Sequence, residues 1–511
     1  NNYNTAFLLP TVADLDGDEN MEIIVINMYD TNQMTPARLI VYNFDGSVRW
    51  TRSLANIYYS SFIGIDDVDN DGYKEIFIEE NFIVDNRYKS NIRVFKYDGS
   101  NFGYNWPVKF RYYASGTIIA DLNNDGAKEV IIKDIEITRD AKVNDLIKIY
   151  DFKGNLINDF TIKNTLRTSP TIIGDTFISV GNFNDDKALE IAVQYGDNKV
   201  AVYNKEGKIL SGWPKSTSGN VAGSPITGDI DKDGYDELIV AASDLGVSSG
   251  GGIYVFRKNG KILPGFPVLT NKSFLSAPVL GDVNNDGYPE IVIADDSSAT
   301  YVINNKGKIL PGWPILNPYY SVFFSAAVAD IDNNSYPDII VSAGQIQPAL
   351  LQCGDNHINS SGGIRAWKFD GMPIDLNGNV KGNTFFTGMF SWGTTPTITD
   401  LENDGKIDLI FTGEPAITFC PLTSDNYSKA ACDPNDKIID DNCSQEYKKG
   451  GKIYVAELGI ASDSFSDFSW TTFRYDHQHT GNYKVTYFSP VCASNSDCGT
   501  NGFTGTPFCK D

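Results

Sequence analysis

Residues 229–237 read DIDKDGYDE, with a carboxylate at positions 1, 3, 5 and 9 of the string and glycine at position 6. The residues that follow, ELIVA (237–241), are apolar and β-branched, and GIYVFRKNG (252–260) repeats that character before closing on a glycine turn. KILPGFP (261–267) comes next and ends in an aromatic residue and proline. Val, Ile, Tyr and Phe bounded by Gly, Asn and Asp are strand and turn chemistry. No window carries a helix-period pattern. The stretch predicts antiparallel strands with the acidic string between the first and the second.

The string recurs. It stands as DLDGDENME at 14–22, DVDNDGYKE at 67–75, DLNNDGAKE at 121–129 and NFNDDKALE at 182–190. After 229–237 it returns as DVNNDGYPE at 282–290, DIDNNSYPD at 330–338 and DLENDGKID at 400–408. Its flanks recur with it, including the Gly-turn strand. Strand-rich periods of roughly 40–55 residues indicate propeller blades. The expected fold is all-β: an eight-bladed β-propeller of four-stranded antiparallel blades, or seven if one weak repeat is an insertion. The expected division is a propeller over 1–487 and a Cys-rich segment over 488–511.

Calcium takes six to eight oxygen ligands, mostly carboxylates and carbonyls. Side-chain oxygens at positions 1, 3 and 5 of a tight loop point at one centre. Glycine at position 6 permits the turn, and a carboxylate at position 9 closes the shell. The expected ligands are Asp67, Asp69, Asp71 and Glu75 in the second string, and Asp229, Asp231, Asp233 and Glu237 in the fifth. The eighth offers Asp400, Glu402, Asp404 and Asp408, and the first Asp14, Asp16, Asp18 and Glu22, with Glu19 where glycine is wanted. Asn replaces Asp at position 3 in the third (Asp121, Asn123, Asp125, Glu129) and sixth (Asp282, Asn284, Asp286, Glu290). The seventh has Asp330, Asp332, Asn334 and Asp338, with Ser335 at position 6. The fourth, with Asn182, Asn184 and Lys187, is expected to hold no ion. About five to seven calcium ions follow. An EF-hand closes with a later Glu and sits between helices, so it does not apply here.

The strings account for the acidity. Among 511 residues, 42 Lys and Arg face 65 Asp and Glu, a net charge of −23. Positions 1, 3, 5 and 9 of the eight strings hold 27 carboxylates. One Ca²⁺ in every loop would bring −23 to −7, an ordinary value for a soluble domain. The overall field is wrong for nucleic acid and for an anionic membrane surface. No apolar run reaches the ~18 residues of a membrane span.

These repeats resemble the FG-GAP/VCBS family, the integrin-α-like calcium-binding β-propellers, over about residues 5–485. The resemblance implies calcium loops on one face of a ring and partner-binding loops on the other. Position 9 is mostly Glu here, where integrin α has Asp, and every repeat carries a near-motif; microbial secreted relatives are closer. The segment WTTFRYDHQHTGNY from Trp470 is similar to a closing segment of such propellers, and the tail to short Cys-rich modules of archaeal surface proteins.

Seven cysteines, all from Cys353 onward, read as disulfide loops in an oxidising compartment. Cys353 lies in a long insertion of the seventh repeat, and Cys420, Cys432 and Cys443 in one of the eighth. Sequons at Asn271, Asn359, Asn426 and Asn442 suit a glycoprotein. The odd cysteine and the tail suggest a chain continuing past Asp511. Catalytic signals are thin. His477 and His479 fall in the closing segment, and His357 is alone in its loop. GVSSG (246–250) lacks a strand-to-helix elbow. Trp106, Trp213 and Trp313 suit packing between blades. The expectation is an extracellular, cell-surface adhesion, recognition or structural module whose partner is a protein, a glycan or another copy. The alternative is a secreted polysaccharide-active enzyme or a quinoprotein-like dehydrogenase, which rests on fold analogy alone.

Overall fold

The computed structural model describes residues 10–461 except 28–36, 56–62, 85–86, 112, 138–142, 163–177, 195–197, 222, 244–249, 275, 298, 317–324, 344–361, 375–383, 391–394 and 416–451. All seven cysteines, the three histidines, three of the four sequons and the expected segment 488–511 lie outside that set. Asn271, the fourth sequon, is exposed.

The described residues form antiparallel β-sheets and no helix. The first sheet runs Thr11–Ala13, Glu22–Asn27, Arg38–Tyr42 and Val48–Ser53, each strand bonded to the next. The sixth runs Val279–Gly281, Glu290–Ala294, Ala299–Ile303 and Ile315–Leu316 in the same order. The acidic strings occupy the turn from first to second strand, as expected. In seven repeats the position-9 carboxylate is the first residue of the second strand. In the eighth, Asp408 is the third residue of Lys406–Pro415.

Two sheets depart from the simple unit. Asn220–Val221 adds a fifth strand to the fifth sheet, against Glu237–Ser243. The seventh and eighth repeats are not separate sheets: Thr384–Phe390 pairs with Lys406–Pro415 through Met389–Pro415 and Phe390–Glu414. The aromatic segments, such as KILPGFP (261–267), lie just before the fourth strand. Trp213 and Trp313 precede the short strands Lys215–Ser216 and Ile315–Leu316.

The second strands, and third strands such as Ala299–Ile303, are buried on both faces, which is why they read as continuous apolar runs, whereas the third strand of the first repeat, Arg38–Tyr42, alternates. Their side chains form clusters that join successive repeats. Ala192, Val200 and Val202 of the fourth pack with Leu238, Val240 and Phe256 of the fifth. Leu280, Ile291 and Ile293 of the sixth pack with Ile239, Ile253 and Val255 of the fifth. One further cluster joins the ends of the described chain: Val12, Ile23 and Val25 of the first repeat with Leu401 and Ile410 of the eighth.

Tryptophans fasten these junctions. The Trp50 indole N–H donates to the Tyr97 carbonyl at 2.8 Å, Trp106 to Phe152 at 2.8 Å, Trp213 to Lys258 at 3.2 Å and Trp313 to Phe369 at 2.7 Å. Each acceptor lies in the Gly turn of the next repeat. Burial with the N–H satisfied is what makes tryptophan suitable there.

Candidate metal centres

The loop geometry follows from the Asp at position 1. Its two oxygens accept the backbone N–H groups of positions 5 and 6, an extended Asx turn. Asp229 takes Asp233 N at 3.1 Å and Gly234 N at 3.0 Å; Asp282 takes Asp286 N at 3.0 Å and Gly287 N at 2.9 Å. Asp67, Asp121, Asp330 and Asp400 do the same. Position 6 has positive φ even where it is not glycine: Glu19 at 72°, Lys187 at 65° and Ser335 at 68°. Position 4 is also left-handed, at Gly17, Asn70, Asn124, Lys232, Asn285, Asn333 and Asn403. Sequence reasoning missed that second turn, although Asn, which tolerates this conformation best after Gly, fills most of these positions.

The position-9 carboxylate is buried in all eight repeats. One of its oxygens accepts the N–H of position 2 each time: Glu22 from Leu15 at 2.9 Å, Glu75 from Val68 at 3.2 Å, Glu129 from Leu122 at 2.9 Å, Glu190 from Phe183 at 2.8 Å. Glu237, Glu290, Asp338 and Asp408 take Ile230, Val283, Ile331 and Leu401 at 3.0–3.1 Å. This bond ties the loop to the strand and leaves the other oxygen for the loop interior.

Buried oxygens there lack partners. Among the described residues, Asp16 Oδ1, Asp69 Oδ1, Asp231 Oδ1 and Asp332 Oδ1 at position 3, and Glu237 Oε1 and Asp338 Oδ1 at position 9, are buried without a hydrogen bond. An unpaired buried carboxylate oxygen is costly. Three acidic groups converge within 4.8 Å in five loops: Asp14, Asp16 and Asp18; Asp67, Asp69 and Asp71; Asp229, Asp231 and Glu237; Asp330, Asp332 and Asp338; Asp400, Glu402 and Asp404. The donor set is hard oxygen throughout, which fits calcium or magnesium and not a thiolate-seeking metal.

Crowding shows in the acidities. Burial, reinforced by the neighbouring loop carboxylates and opposed by the position-2 N–H, pushes Glu75, Glu237 and Glu290 up to about 8. The same causes put Asp338 at about 8, and Glu190 and Asp408 at about 7.

Cations reach into some loops. Arg49 binds Asp16 and, at 2.6 Å, Glu22. Arg257 is 2.5 Å from Asp231 Oδ2 and Lys368 is 2.7 Å from Asp332 Oδ2. Lys406 is 2.9 Å from Asp404. Loops with Asn at position 3 differ: Asn284 donates to Glu290 Oε1 at 3.0 Å, Asn123 to Glu129 Oε1 at 3.4 Å, and Asn184 to Glu190 Oε1. The fourth loop departs most. Asn182 has no carboxylate to hold the turn, and its own N–H donates to Asp236 Oδ2 at 2.7 Å.

Residues 282–341, which contain the sixth string, match the FG-GAP-like repeat. No curated protein matches the chain. Among solved structures, it is similar to the V. cholerae biofilm matrix protein Bap1, at 11% identity over 66% of this chain and 74% of that one, TM-score 0.30. It is similar to BBS1N in complex with ARL6DN, at 10% identity over 80% and 89%, TM-score 0.39. A third is the Pyrococcus horikoshii acylaminoacyl peptidase, at 11% identity over 80% and 58%, TM-score 0.34. Residues 282–341 thus carry an FG-GAP-like repeat, and a comparable loop precedes the second strand in the other repeats.

Proposed function

We propose that this chain is a calcium-stabilised β-propeller of eight blades, an extracellular scaffold that presents loops for adhesion or assembly. The observation that carries the calcium reading is the set of buried, partnerless oxygens at positions 3 and 9, aligned with three-carboxylate clusters in five loops. In each such loop the side chains at positions 1, 3, 5 and 9 would hold the ion. Calcium supplies positive charge and a rigid oxygen shell. The chain's own contribution is the Asx turn, which aims the carboxylates inward, and the position-2 N–H, which fixes the closing carboxylate.

The ring reading is supported by the bonds between the first and eighth repeats, which include Thr397 Oγ1 to the Pro10 carbonyl at 2.8 Å. The extracellular reading follows from the calcium reading, since calcium is roughly millimolar outside cells and would saturate even weak oxygen-ligand modules there. The expected partner is a protein or glycan surface, or a second copy of the chain.

Titrating calcium into chelator-treated protein by calorimetry tests the reading. Several ions binding per chain, with magnesium much weaker, is the expected result. No heat and no binding at millimolar calcium would overturn it.

A further inference from the structure

The residue that opens the Gly turn after each third strand varies with position 3 of the acidic loop in the same repeat. Where position 3 is Asp69, Asp231 or Asp332, the turn residue is Lys96, Arg257 or Lys368. Where position 3 is Asn123, Asn184 or Asn284, it is Asp151, Asn204 or Asn304. The first repeat has Asp16 and a neutral Asn43, and there Arg49 of the next strand fills the role by binding Asp16.

The contacts match the pattern. Arg257 and Lys368 hold the outer oxygen, Oδ2, of Asp231 and Asp332, while the inner oxygen, Oδ1, faces the loop without a partner. Lys96 occupies the same turn position in the second repeat, with its ammonium 5.8 Å from the centroid of the Phe102 ring. The turn residues that carry no positive charge bond within their own turns instead. Asn304 accepts from Lys306 and Lys308 N–H, Asn204 from Lys208 N–H, and Asp151 from Asn155.

The charges then agree. In formal charges, the fifth loop holds four ligand carboxylates and the ion-paired Arg257, a net −3, and the second holds four with Lys96 at the same turn position. The third and sixth hold three ligand carboxylates and, among the described residues, no ion-paired cation, again a formal −3. The first, with Arg49, and the eighth, with Lys406 on Asp404, also reach −3. Only the fourth and seventh fall to −2, having lost further carboxylates to Asn182 and Asn334.

Resting on the calcium reading above, we propose that Lys96, Arg257 and Lys368 are charge-balancing residues of the calcium loops. Each cancels the extra carboxylate that Asp brings at position 3, so the folded chain tolerates four converging carboxylates before the ion arrives. They also act as positioning residues, since a cation on Oδ2 turns Oδ1 toward the site.

The test compares four full-length chains by thermal melting, in chelator and in calcium. The first is wild type. The second carries Lys96→Asn, Arg257→Asn and Lys368→Asn. The third adds Asp69→Asn, Asp231→Asn and Asp332→Asn, rebuilding these loops on the pattern of the sixth and restoring the net charge. The fourth loses three exposed lysines instead, through Lys261→Asn, Lys272→Asn and Lys308→Asn. In chelator, the second chain is expected to melt about 3 °C or more below wild type and to gain more from calcium, while the third and fourth melt with wild type. A second chain that melts like wild type in chelator, or a third that melts as low as the second, overturns the charge balance. A wild-type chain indifferent to calcium contradicts the calcium reading, and the chelator comparison still decides the charge balance.

Discussion

The amide of Met21 donates to the carbonyl of Leu401, 3.0 Å away and 380 residues further along the chain. The same bond joins consecutive repeats: Lys74 to Leu15 at 3.0 Å and Leu189 to Leu122 at 2.9 Å. In each case position 8 of one acidic string donates to position 2 of another, so one kind of backbone bond links the eighth repeat to the first and the first to the second. Thr397, whose hydroxyl reaches the Pro10 carbonyl, tests this junction. Thr397→Val is expected to cost about 1 kcal/mol by removing that bond from a buried site. Denaturant unfolding measures it, and an unchanged midpoint would mean the junction contributes nothing to cooperative stability.

Gly99 turns at φ +77°, and a Cβ there would meet the Trp50 ring of the preceding repeat at 2.6 Å. Gly103 turns at φ +89° with nothing within 4 Å. Gly103→Ala therefore isolates the backbone cost, about 1 kcal/mol. Gly99→Ala is expected to exceed it by about 1–3 kcal/mol, because the ring must move. Equal losses from the two variants would show that the Trp50 contact is loose.

Glu237→Gln should have opposite effects with and without metal. Glu237 is fully buried, and its Oε1 has no partner. Removing its charge relieves repulsion with Asp229, Asp231 and Asp233, so the melting temperature in chelator at pH 8 rises slightly. The same change removes a proposed calcium ligand, so the gain on adding calcium is expected to shrink. A variant that melts lower in both conditions would give Glu237 a purely packing role.

The metal-free chain should lose stability as pH rises. Burial lifts Glu75, Glu237, Glu290 and Asp338 to about 8, above the ordinary carboxyl range, so the fold favours their protonated forms. That contribution is complete below the unfolded values near 4 and is lost as pH climbs through about 7–8. Melting temperatures in chelator are expected to fall between pH 5 and 8.5, and calcium is expected to remove most of that fall. A flat profile in chelator would mean these carboxylates are well solvated.

The spacing of the acidic string placed the loops between first and second strands because position 9 must sit on the outgoing strand to close a shell. Glu237 and Glu290 do begin their strands. Burial of both sheet faces also shows in runs such as Glu290–Ala294. The basic partners were not legible as partners, because Arg257 meets Asp231 only when two turns 26 residues apart fold onto one edge. Nor was the pairing of Met389 with Pro415, since nothing local requires one repeat's outer strand to join the next repeat's second strand. The tryptophans were readable as packing residues, but their carbonyl acceptors lie about 45–56 residues away.

Equilibrium dialysis of the chelator-treated chain against 1 mM calcium, followed by elemental analysis, tests the central claim most directly. About five to seven calcium ions per chain are predicted. A chain that retains none would contradict the account, and the acidic strings would then be turns and nothing more.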